Sequence, residues 1–208
     1  MNKLLPQGVT KRLILVRHGE PSAEAKGVCY GKFDVGLSER GKRQIEKTDE
    51  YLQNFKVSSV YASPRARAIE SAKLIAGKCG LSFQICESFC EIDFGDFEKR
   101  SYREIEEKFP DIFAKWMKTP TEVEFPNGES FAQMQARVLD GLNGILQKHT
   151  GETTAIVSHG GVNRIILAHF LQIKNADIFR LGQDYACVNI IDFYEDFPLI
   201  KILNYNGN

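Results

Sequence analysis

The stretch Leu13–Glu20 reads Leu-Ile-Leu-Val-Arg-His-Gly-Glu and decides the fold class. Its four apolar residues predict a short strand that is buried on both faces. Arg17 and His18 follow with no polar transition, and Gly19 ends the strand by permitting a sharp turn and a close approach to a ligand. Because ligands bind at the carboxyl edge of open α/β sheets, the stretch predicts reactive groups at such an edge. A strand that simply exits to solvent would also fit these eight residues.

A second strand end has the same character. A strand is predicted at Thr153–Val157, and Ser158-His159-Gly160-Gly161 follows it directly. If both strands lie centrally in one sheet, their carboxyl ends open into one crevice. We therefore expect His18 and His159 to face each other, although a histidine at this position could also serve only as a helix cap.

A third strand end adds positive charge to the same edge. The strand predicted at Val57–Ala62 runs into the turn Ser63–Arg67, which contains two arginines. Together with Arg17, an arginine from this turn suits a phosphate dianion, since guanidinium groups bind phosphate oxygens in a bidentate manner. The turn Gly160-Gly161 opens an apolar helix, whose N-terminus adds backbone N–H donors. The alternative for the arginines is an ordinary solvated surface.

Composition limits the kind of protein. The chain has 208 residues, of which 43% are hydrophobic and 26% charged, and these are ordinary values for a globular protein. This length predicts a single domain over residues 1–208. Lys plus Arg and Asp plus Glu both number 27, so no global positive field indicates nucleic acid as a partner. Any anion site must be built locally.

The cysteines and the N-terminus indicate the cellular setting. The five cysteines are an odd, scattered set without zinc-ligand spacing, which predicts reduced thiols, no metal site and a cytoplasmic location. Residues 1–11 have no signal-peptide apolar stretch, and no run is long enough to span a membrane, so we expect a soluble protein without a membrane partner. The sequence leaves a homodimer open. The cysteines are Cys29, Cys79, Cys86, Cys90 and Cys187.

Helices alternate with short apolar strands along the chain. This pattern predicts an α/β fold, a single-domain three-layer α/β/α sandwich with a mostly parallel mixed sheet and an antiparallel edge. Further strands are predicted at Leu81–Cys86, Cys187–Tyr194 and Leu199–Tyr205. Helices are predicted from the cap Ser38, at Arg65–Lys78 with Pro64 in its first turn, and at Tyr102–Lys108, Asp111–Lys118, Ser130–His149 and Val162–Leu171.

Five sequence blocks occur in one order over nearly the whole chain. They are Leu-Val-Arg-His-Gly-Glu-Pro at 15–21, Leu-Ser-Glu-Arg-Gly at 37–41, Tyr-Ala-Ser-Pro at 61–64 with Arg67-Ala68 and Ser71-Ala72, Glu91 with Phe94-Gly95, and Val-Ser-His-Gly-Gly at 157–161. This set resembles the histidine phosphatase superfamily, also called phosphoglycerate-mutase-like. The nearest resemblance is to its α-ribazole phosphatase branch, through Cys-Tyr-Gly-Lys at 29–32 with Asp34, residues 91–95, and Phe-Pro-Asn-Gly-Glu-Ser at 125–130.

The resemblance implies phosphoryl transfer through a covalent phosphohistidine on His18, with no metal and no cofactor. A neutral imidazole nitrogen attacks phosphorus, and neighbouring cations favour that neutral form. Arg17, Arg67 and His159 would hold the phosphoryl oxygens as charge spreads over them. The predicted substrate-binding set is completed by Gly160 and Tyr30.

The resemblance also selects among similar residues. Arg65 and Arg67 stand two positions apart, and only Arg67 has Ala68 and Ser71-Ala72 at the expected offsets, so Arg65 is interpreted as a rim charge. Four acids in one loop could protonate the leaving group, and the resemblance singles out Glu91; a solvated acidic loop is the alternative for the others. Those others are Asp93, Asp96 and Glu98.

Two features leave specificity open. Many members of the family have Glu-Gly where this chain has Glu98 followed by Lys99-Arg100, a positive pair that fits either the substrate entrance or a surface turn. Three large apolar side chains could line a pocket for a bulky leaving group, although helical spacing also suits core packing. They are Phe113, Trp116 and Met117.

The predicted function is a phosphomonoesterase that acts on a small phosphate ester, with α-ribazole 5′-phosphate as the first substrate candidate. A broad-specificity phosphatase and a phosphoglycerate mutase are alternatives within the same fold. The mutases of this family usually carry a longer insert after the acid and a closing tail, and this chain is short in both places. A phosphate-binding regulatory module without turnover is the alternative from another class.

Overall fold

One six-stranded sheet runs through the computed structural model, which describes residues 5–207. Residues 1–4 of the N-terminal segment considered above, and residue 208, lie outside this description. The strands are β1 (Lys11–Arg17), β2 (Val57–Ala62), β3 (Phe83–Ile85), β4 (Thr153–Ser158), β5 (Val188–Phe193) and β6 (Pro198–Tyr205), in the order β3-β2-β4-β1-β5-β6.

The direction of the strands follows the predicted scheme. β1 pairs with β4 in parallel, as do β2 with β4 and β2 with β3. β5 runs antiparallel to β1, and β6 runs antiparallel to β5. The prediction of a mostly parallel mixed sheet with an antiparallel edge is therefore confirmed.

The helices connect and cover these strands. They are α1 (Glu39–Leu52), α2 (Ala66–Lys78), α3 (Tyr102–Lys108), α4 (Pro110–Lys118), α5 (Phe131–Lys148) and α6 (Gly160–Leu171). Ser38 caps α1 as predicted, since its hydroxyl accepts from the Gly41 N–H. Ser101 and Ser130 form capping boxes at the starts of α3 and α5. None of the helices in residues 5–207 is both long and apolar enough to cross a membrane.

The central strands of the sheet are buried on both faces, which makes the fold three-layered. Leu13 and Leu15 of β1 pack in one apolar cluster with α5 and α6. Ile14 and Val16 point the other way, into a second cluster with α1 and α2. All four side chains are fully buried, and each contributes roughly 1.5–3 kcal/mol by leaving water. The carboxyl ends of the parallel strands thus rest on a rigid support.

Several predicted boundaries differ from the structure, most of them by one residue, and three of the differences bear on the fold or the site. β3 is shorter than Leu81–Cys86 because it lies at the sheet edge and pairs with β2 at only three positions. α2 begins at Ala66 with Arg65 as its cap, so Pro64 precedes the helix and does not lie in its first turn. α6 begins at Gly160, two residues earlier than predicted.

Candidate active site

Two neighbouring strands bring the histidines together. β1 and β4 are in register with Arg17 opposite Ser158, and the His18 N–H donates to the Ser158 carbonyl at 2.9 Å. His18 and His159 are therefore the first residues beyond the two strand ends. Their ring centroids lie 5.1 Å apart in an edge-on arrangement.

The environment of His18 fixes its tautomer. Its Nδ1 lies 2.7 Å from the carbonyl oxygen of Gly19. Because a carbonyl oxygen only accepts, this hydrogen bond requires the proton on Nδ1 and leaves a lone pair on Nε2. Burial lowers the pKa of His18 well below 6.5, and the charges of Arg67 and Arg17 lower it further. His18 is thus a neutral imidazole with a free Nε2.

His159 is buried with one ring nitrogen unused. Its Nε2 lies 2.8 Å from the hydroxyl of Ser63, which follows β2. Its Nδ1 is buried and has no hydrogen-bond partner within residues 5–207. Burial lowers the pKa of His159 well below 6.5, and the charges of Arg67 and Arg17 lower it further. A hydroxyl that donates to Nε2 leaves the Nδ1–H of His159 for an anion.

Within residues 5–207, backbone carbonyls accept all the hydrogen bonds of the Arg67 guanidinium. The residue is fully buried, and its guanidinium donates to the oxygens of Gly31 (2.8 Å) and Phe33 (3.1 Å). Its Nε has no partner among the described residues. Burial lowers the pKa of this group. An arginine buried without a carboxylate partner is a site for an external anion.

Arg17 completes the positive wall. Its guanidinium donates to the carbonyl of Gln183 and stacks 4.1 Å from the ring of Tyr185. Its Nε is buried without a hydrogen-bond partner in the described part of the chain. Within residues 5–207 neither this arginine nor Arg67 forms a salt bridge, so both charges remain available to a ligand.

Arg65 lies apart from this cluster. It caps α2 and lines a neighbouring cavity, which also contains Lys32 and Arg137, whereas Arg67 lines the cavity of the histidines. The two arginines are separated because one precedes the helix in extended conformation and the other points inward from its first turn. The structure therefore places only one of the pair beside His18.

Glu91 brings a carboxylate to the same cavity. Its oxygens accept from the N–H groups of Ile92 (3.0 Å) and Gly161 (3.1 Å). Arg137 of α5 fixes the backbone here by donating to the carbonyls of Ser88, Cys90 and Glu91. Hydrogen bonds thus hold both the carboxylate and the backbone of Glu91 in place beside the cavity.

The other three acids of this loop are engaged elsewhere. Asp93 pairs with Lys32 at 3.1 Å. Asp96 accepts from the Asn127 amide, and Glu98 accepts from four backbone N–H groups. Among the residues that line the histidine cavity, Glu91 is the only carboxylate.

The cavity has a volume of about 320 Å³ and a divided lining. Polar groups of the cluster described above form one part, together with Gly160 and Tyr30. Tyr30 also lies 5.3 Å below the Arg67 guanidinium and contacts the hydroxyl of Tyr185 at 2.7 Å. The remaining lining includes Gly161 and one cation, Arg164, and is otherwise largely apolar: Val28, Cys29, Ile92, Phe94, Tyr102, Trp116, Pro120, Phe125, Phe131, Met134, Ile178 and Phe179.

Only one of the three predicted pocket side chains lines this cavity. Trp116 does so, and it stacks on Tyr102 with ring centroids 5.5 Å apart. Phe113 packs against the apolar core, and Met117 is 52% exposed. The positive pair after Glu98 lies outside the lining as well: Arg100 donates to the Asp96 carbonyl, at 2.6 Å.

Arg164 is a cavity residue that the sequence reasoning missed. It donates to the Leu181 carbonyl at 2.9 Å, and a side chain added at Gly160 would meet both Arg164 and Arg17. Burial and the charge of Arg17 lower its pKa. The available signal was a single cation in the otherwise apolar α6. Tyr185, which contacts Arg17 and Tyr30, carried no comparable signal.

No group of three or more His, Cys, Asp or Glu side chains within residues 5–207 has an arrangement that could hold a metal ion.

The chain is similar to known phosphatases over almost its full length. Phosphoserine phosphatase 1 of Hydrogenobacter thermophilus is 32% identical over 193 residues, which are 93% of this chain and 92% of that protein. The adenosylcobalamin/alpha-ribazole phosphatase of Salmonella typhimurium is 28% identical over 93% of this chain and 96% of its own. The crystal structure of the alpha-ribazole phosphatase from Shigella flexneri superposes with a TM-score of 0.86 at 26% identity, covering 94% and 97% of the two chains.

The family assignment agrees with this similarity and with the paired histidines. The family model of the histidine phosphatase superfamily (branch 1) matches residues 13–206, from β1 to the end of β6. The chain therefore belongs to the histidine phosphatase superfamily, branch 1, and is a phosphatase of the phosphoric monoester hydrolase class.

Proposed function

We propose that the protein hydrolyses phosphomonoesters through a phosphohistidine on His18. The observation that carries this proposal is the hydrogen bond from Nδ1 to the Gly19 carbonyl, which leaves Nε2 as a neutral nucleophile. In the first step Nε2 bonds to phosphorus and the ester P–O bond breaks. The departing oxygen takes the bond electrons and a proton from Glu91 in its acid form.

Three groups hold the transferring phosphoryl group. Arg17 and Arg67 have free guanidinium edges, and the Nδ1–H of His159 is unpaired, so each can bind one of the three equatorial oxygens. These donors are fixed before the substrate arrives, which makes their stabilisation of spreading charge effective.

The second step returns the enzyme to its starting state. The Glu91 carboxylate takes a proton from water as the water oxygen bonds to phosphorus and the P–N bond breaks. Inorganic phosphate leaves, His18 recovers the lone pair on Nε2, and Glu91 is again an acid. Such a positioned acid and base contributes roughly 10²–10⁴-fold to the rate. No step needs a metal or a cofactor.

The leaving group that the cavity fits best is bulky and largely apolar. Trp116, Phe125 and Phe131 face the space beyond the phosphate cluster, where a planar ring can pack against them. α-Ribazole 5′-phosphate has a leaving group of this kind. The relatives from Salmonella typhimurium and Shigella flexneri that are named for this activity support it as the first substrate to test.

Phosphoserine is the second candidate because of one observation. Arg164 is a cation in the cavity that forms no salt bridge within residues 5–207, and a substrate carboxylate would supply one. The 32% identical relative from Hydrogenobacter thermophilus is named as a phosphoserine phosphatase.

Three features stay predictions: a single domain over residues 1–208, a cytoplasmic location and a homodimer.

The intermediate can be trapped directly. The protein is mixed with a ³²P-labelled aryl phosphate in EDTA and quenched in alkali, in which phosphohistidine survives. We expect label on wild-type protein that acid removes, and none on His18→Ala, whose turnover falls by about 10⁴-fold. Label on His18→Ala, or turnover that EDTA abolishes, would reject the proposal. A screen with α-ribazole 5′-phosphate, phosphoserine and bisphosphoglycerate then separates the two phosphatase candidates from a mutase.

A further inference from the structure

Glu98 forms an unusual set of hydrogen bonds for a side chain outside the cavity. Its carboxylate accepts from the backbone N–H groups of Gly31 (3.1 Å), Lys32 (2.7 Å), Phe33 (2.9 Å) and Phe94 (3.1 Å). Hydrogen bonds to an ionised acceptor are stronger than those between neutral groups. Three of the four donors belong to one short segment, residues 31–33.

The same segment holds Arg67 from its other side. The carbonyls of Gly31 and Phe33 are the hydrogen-bond acceptors of the Arg67 guanidinium within the described residues. Glu98 thus binds the N–H groups of residues 31–33, and Arg67 binds two of their carbonyls. Since no carboxylate of residues 5–207 forms a salt bridge with Arg67, its position depends on how firmly this segment is held.

The backbone around Glu98 strengthens the connection. Cys29 donates to the Arg100 carbonyl and accepts from the Lys99 N–H, both at 2.8 Å. These bonds attach the chain just before the segment to the two residues that follow Glu98. The carboxylate itself does not line the cavity.

We propose that Glu98 is a positioning residue for Arg67 and so controls the affinity of the site for phosphate. This inference rests on the proposed function for its catalytic meaning, because Arg67 is assigned there to a phosphoryl oxygen. Loss of the carboxylate leaves three N–H groups of the segment unpaired and frees the carbonyls that aim the guanidinium. The effect should therefore pass through Arg67 and not through Arg17, which is held by the Gln183 carbonyl instead.

A double-mutant cycle tests this route. Glu98→Ala is made alone, with Arg67→Ala and with Arg17→Ala, and the affinity for inorganic phosphate is measured by titration calorimetry. We expect Glu98→Ala alone to weaken phosphate binding about tenfold, to weaken it a further tenfold beside Arg17→Ala, and to add less than twofold beside Arg67→Ala. Glu98→Gln, which keeps the shape and one acceptor oxygen, should recover part of the loss.

Glu104 provides a matched control for Glu98. Glu104→Gln alters another carboxylate that accepts a backbone N–H, at Ser101 and outside the cavity, and should leave phosphate affinity unchanged. Equal losses beside both arginine variants, or no loss in Glu98→Ala, would overturn the inference. If Glu98→Ala does not fold, as thermal unfolding shows, Glu98→Gln goes through the same cycle. Wild-type protein that binds phosphate without turnover would reject the proposed function and still test Glu98.

Discussion

Arg65 and Arg67 show how two adjacent cations acquire different tasks. Arg67 is fully buried beside the histidines, whereas Arg65 is half-exposed in a neighbouring cavity. We expect Arg67→Ala to lower kcat/KM for an aryl phosphate by about 10²–10³-fold, since it removes a donor aimed at the transferring group. Arg65→Ala should change it less than threefold. Steady-state kinetics on the two variants checks this, and a larger effect at Arg65 would reverse the assignment.

A single side chain can be selected from sequence only where its surroundings are local. Arg17, His18 and His159 were found because each stands at the end of an apolar strand. Arg164 was missed because its role depends on the residues around it in space. Its guanidinium lies over the Phe179 ring and next to Gly160. Hydrophobic patterning shows a cation in a buried helix but not the cavity into which it points.

The charge of Arg164 should distinguish between substrates. We expect Arg164→Met to lower kcat/KM for 2-carboxyphenyl phosphate by about 10–100-fold, because a carboxylate on the leaving group loses its charged donor. For phenyl phosphate, which has no carboxylate, the change should stay within about threefold. Paired kinetics with the two esters measures the difference. Equal losses on both would mean that Arg164 binds the phosphoryl group itself.

At the scale of the elements, α6 begins at Gly160 and not at Val162 as predicted. Two glycines are poor helix formers, so hydrophobic patterning starts the helix at Val162, yet both lie within it. The two glycines are required because there is no room for a side chain at either position. A Cβ on Gly161 would come within 2.3 Å of the Glu91 carboxylate, and one on Gly160 within 3.0 Å of Arg164.

Gly161→Ala should therefore separate activity from stability. The added methyl displaces the Glu91 carboxylate, which lies at the end of a flexible side chain, so we expect kcat to fall about 10–100-fold with little loss of stability. Gly144→Ala is the matched control, because that helical glycine has open space around it. It should raise the free energy of unfolding by about 0.5–1 kcal/mol and leave kcat unchanged. A fully active Gly161→Ala would argue against Glu91 as the acid.

The backbone conformation of Lys99 shows why glycine is common at this position of the family. Lys99 has φ +65°, a left-handed conformation in which glycine is unstrained, and its ammonium lies 4.6 Å from the Phe33 ring. Lys99→Gly relieves the strain, whereas Lys99→Ala keeps it, and both lose the ring contact. In denaturant unfolding we expect Lys99→Gly to be about 1 kcal/mol more stable than Lys99→Ala. Neither substitution should change kcat/KM. A large loss of activity in either would place Lys99 at the substrate entrance.

At the scale of the whole molecule, the fold concentrates unpaired positive charge around two neutral imidazoles. Alternating helices and apolar strands were enough to predict the layers and the meeting of His18 with His159. The bonds that orient the cluster were beyond prediction, because they join distant parts of the chain: Glu98 to residues 31–33, and Arg17 to Gln183. Such contacts follow from the path of loops, which hydrophobic periodicity does not describe.

Burying these imidazoles makes the stability of the protein depend on pH. Both pKa values lie well below 6.5 in the folded state, so the unfolded chain binds protons more readily as the pH falls. The contribution of the two neutral imidazoles to the free energy of unfolding is fully present above about pH 6.5. It is lost as the pH falls from there through their pKa values in the folded state. Each histidine should lower the free energy of unfolding by on the order of 1 kcal/mol at about pH 5.5.

Urea unfolding at about pH 7.5 and about pH 5.5 measures this loss, which His18→Gln should reduce by about half. His169→Gln is the control, because that side chain is exposed and lies outside the cavity, and it should not change the loss. Inorganic phosphate should reduce the loss in wild-type protein, since an anion beside the imidazoles favours their charged forms. An unchanged loss in His18→Gln would mean that other groups set the acid limit of stability, and that His18 is not held neutral by the fold.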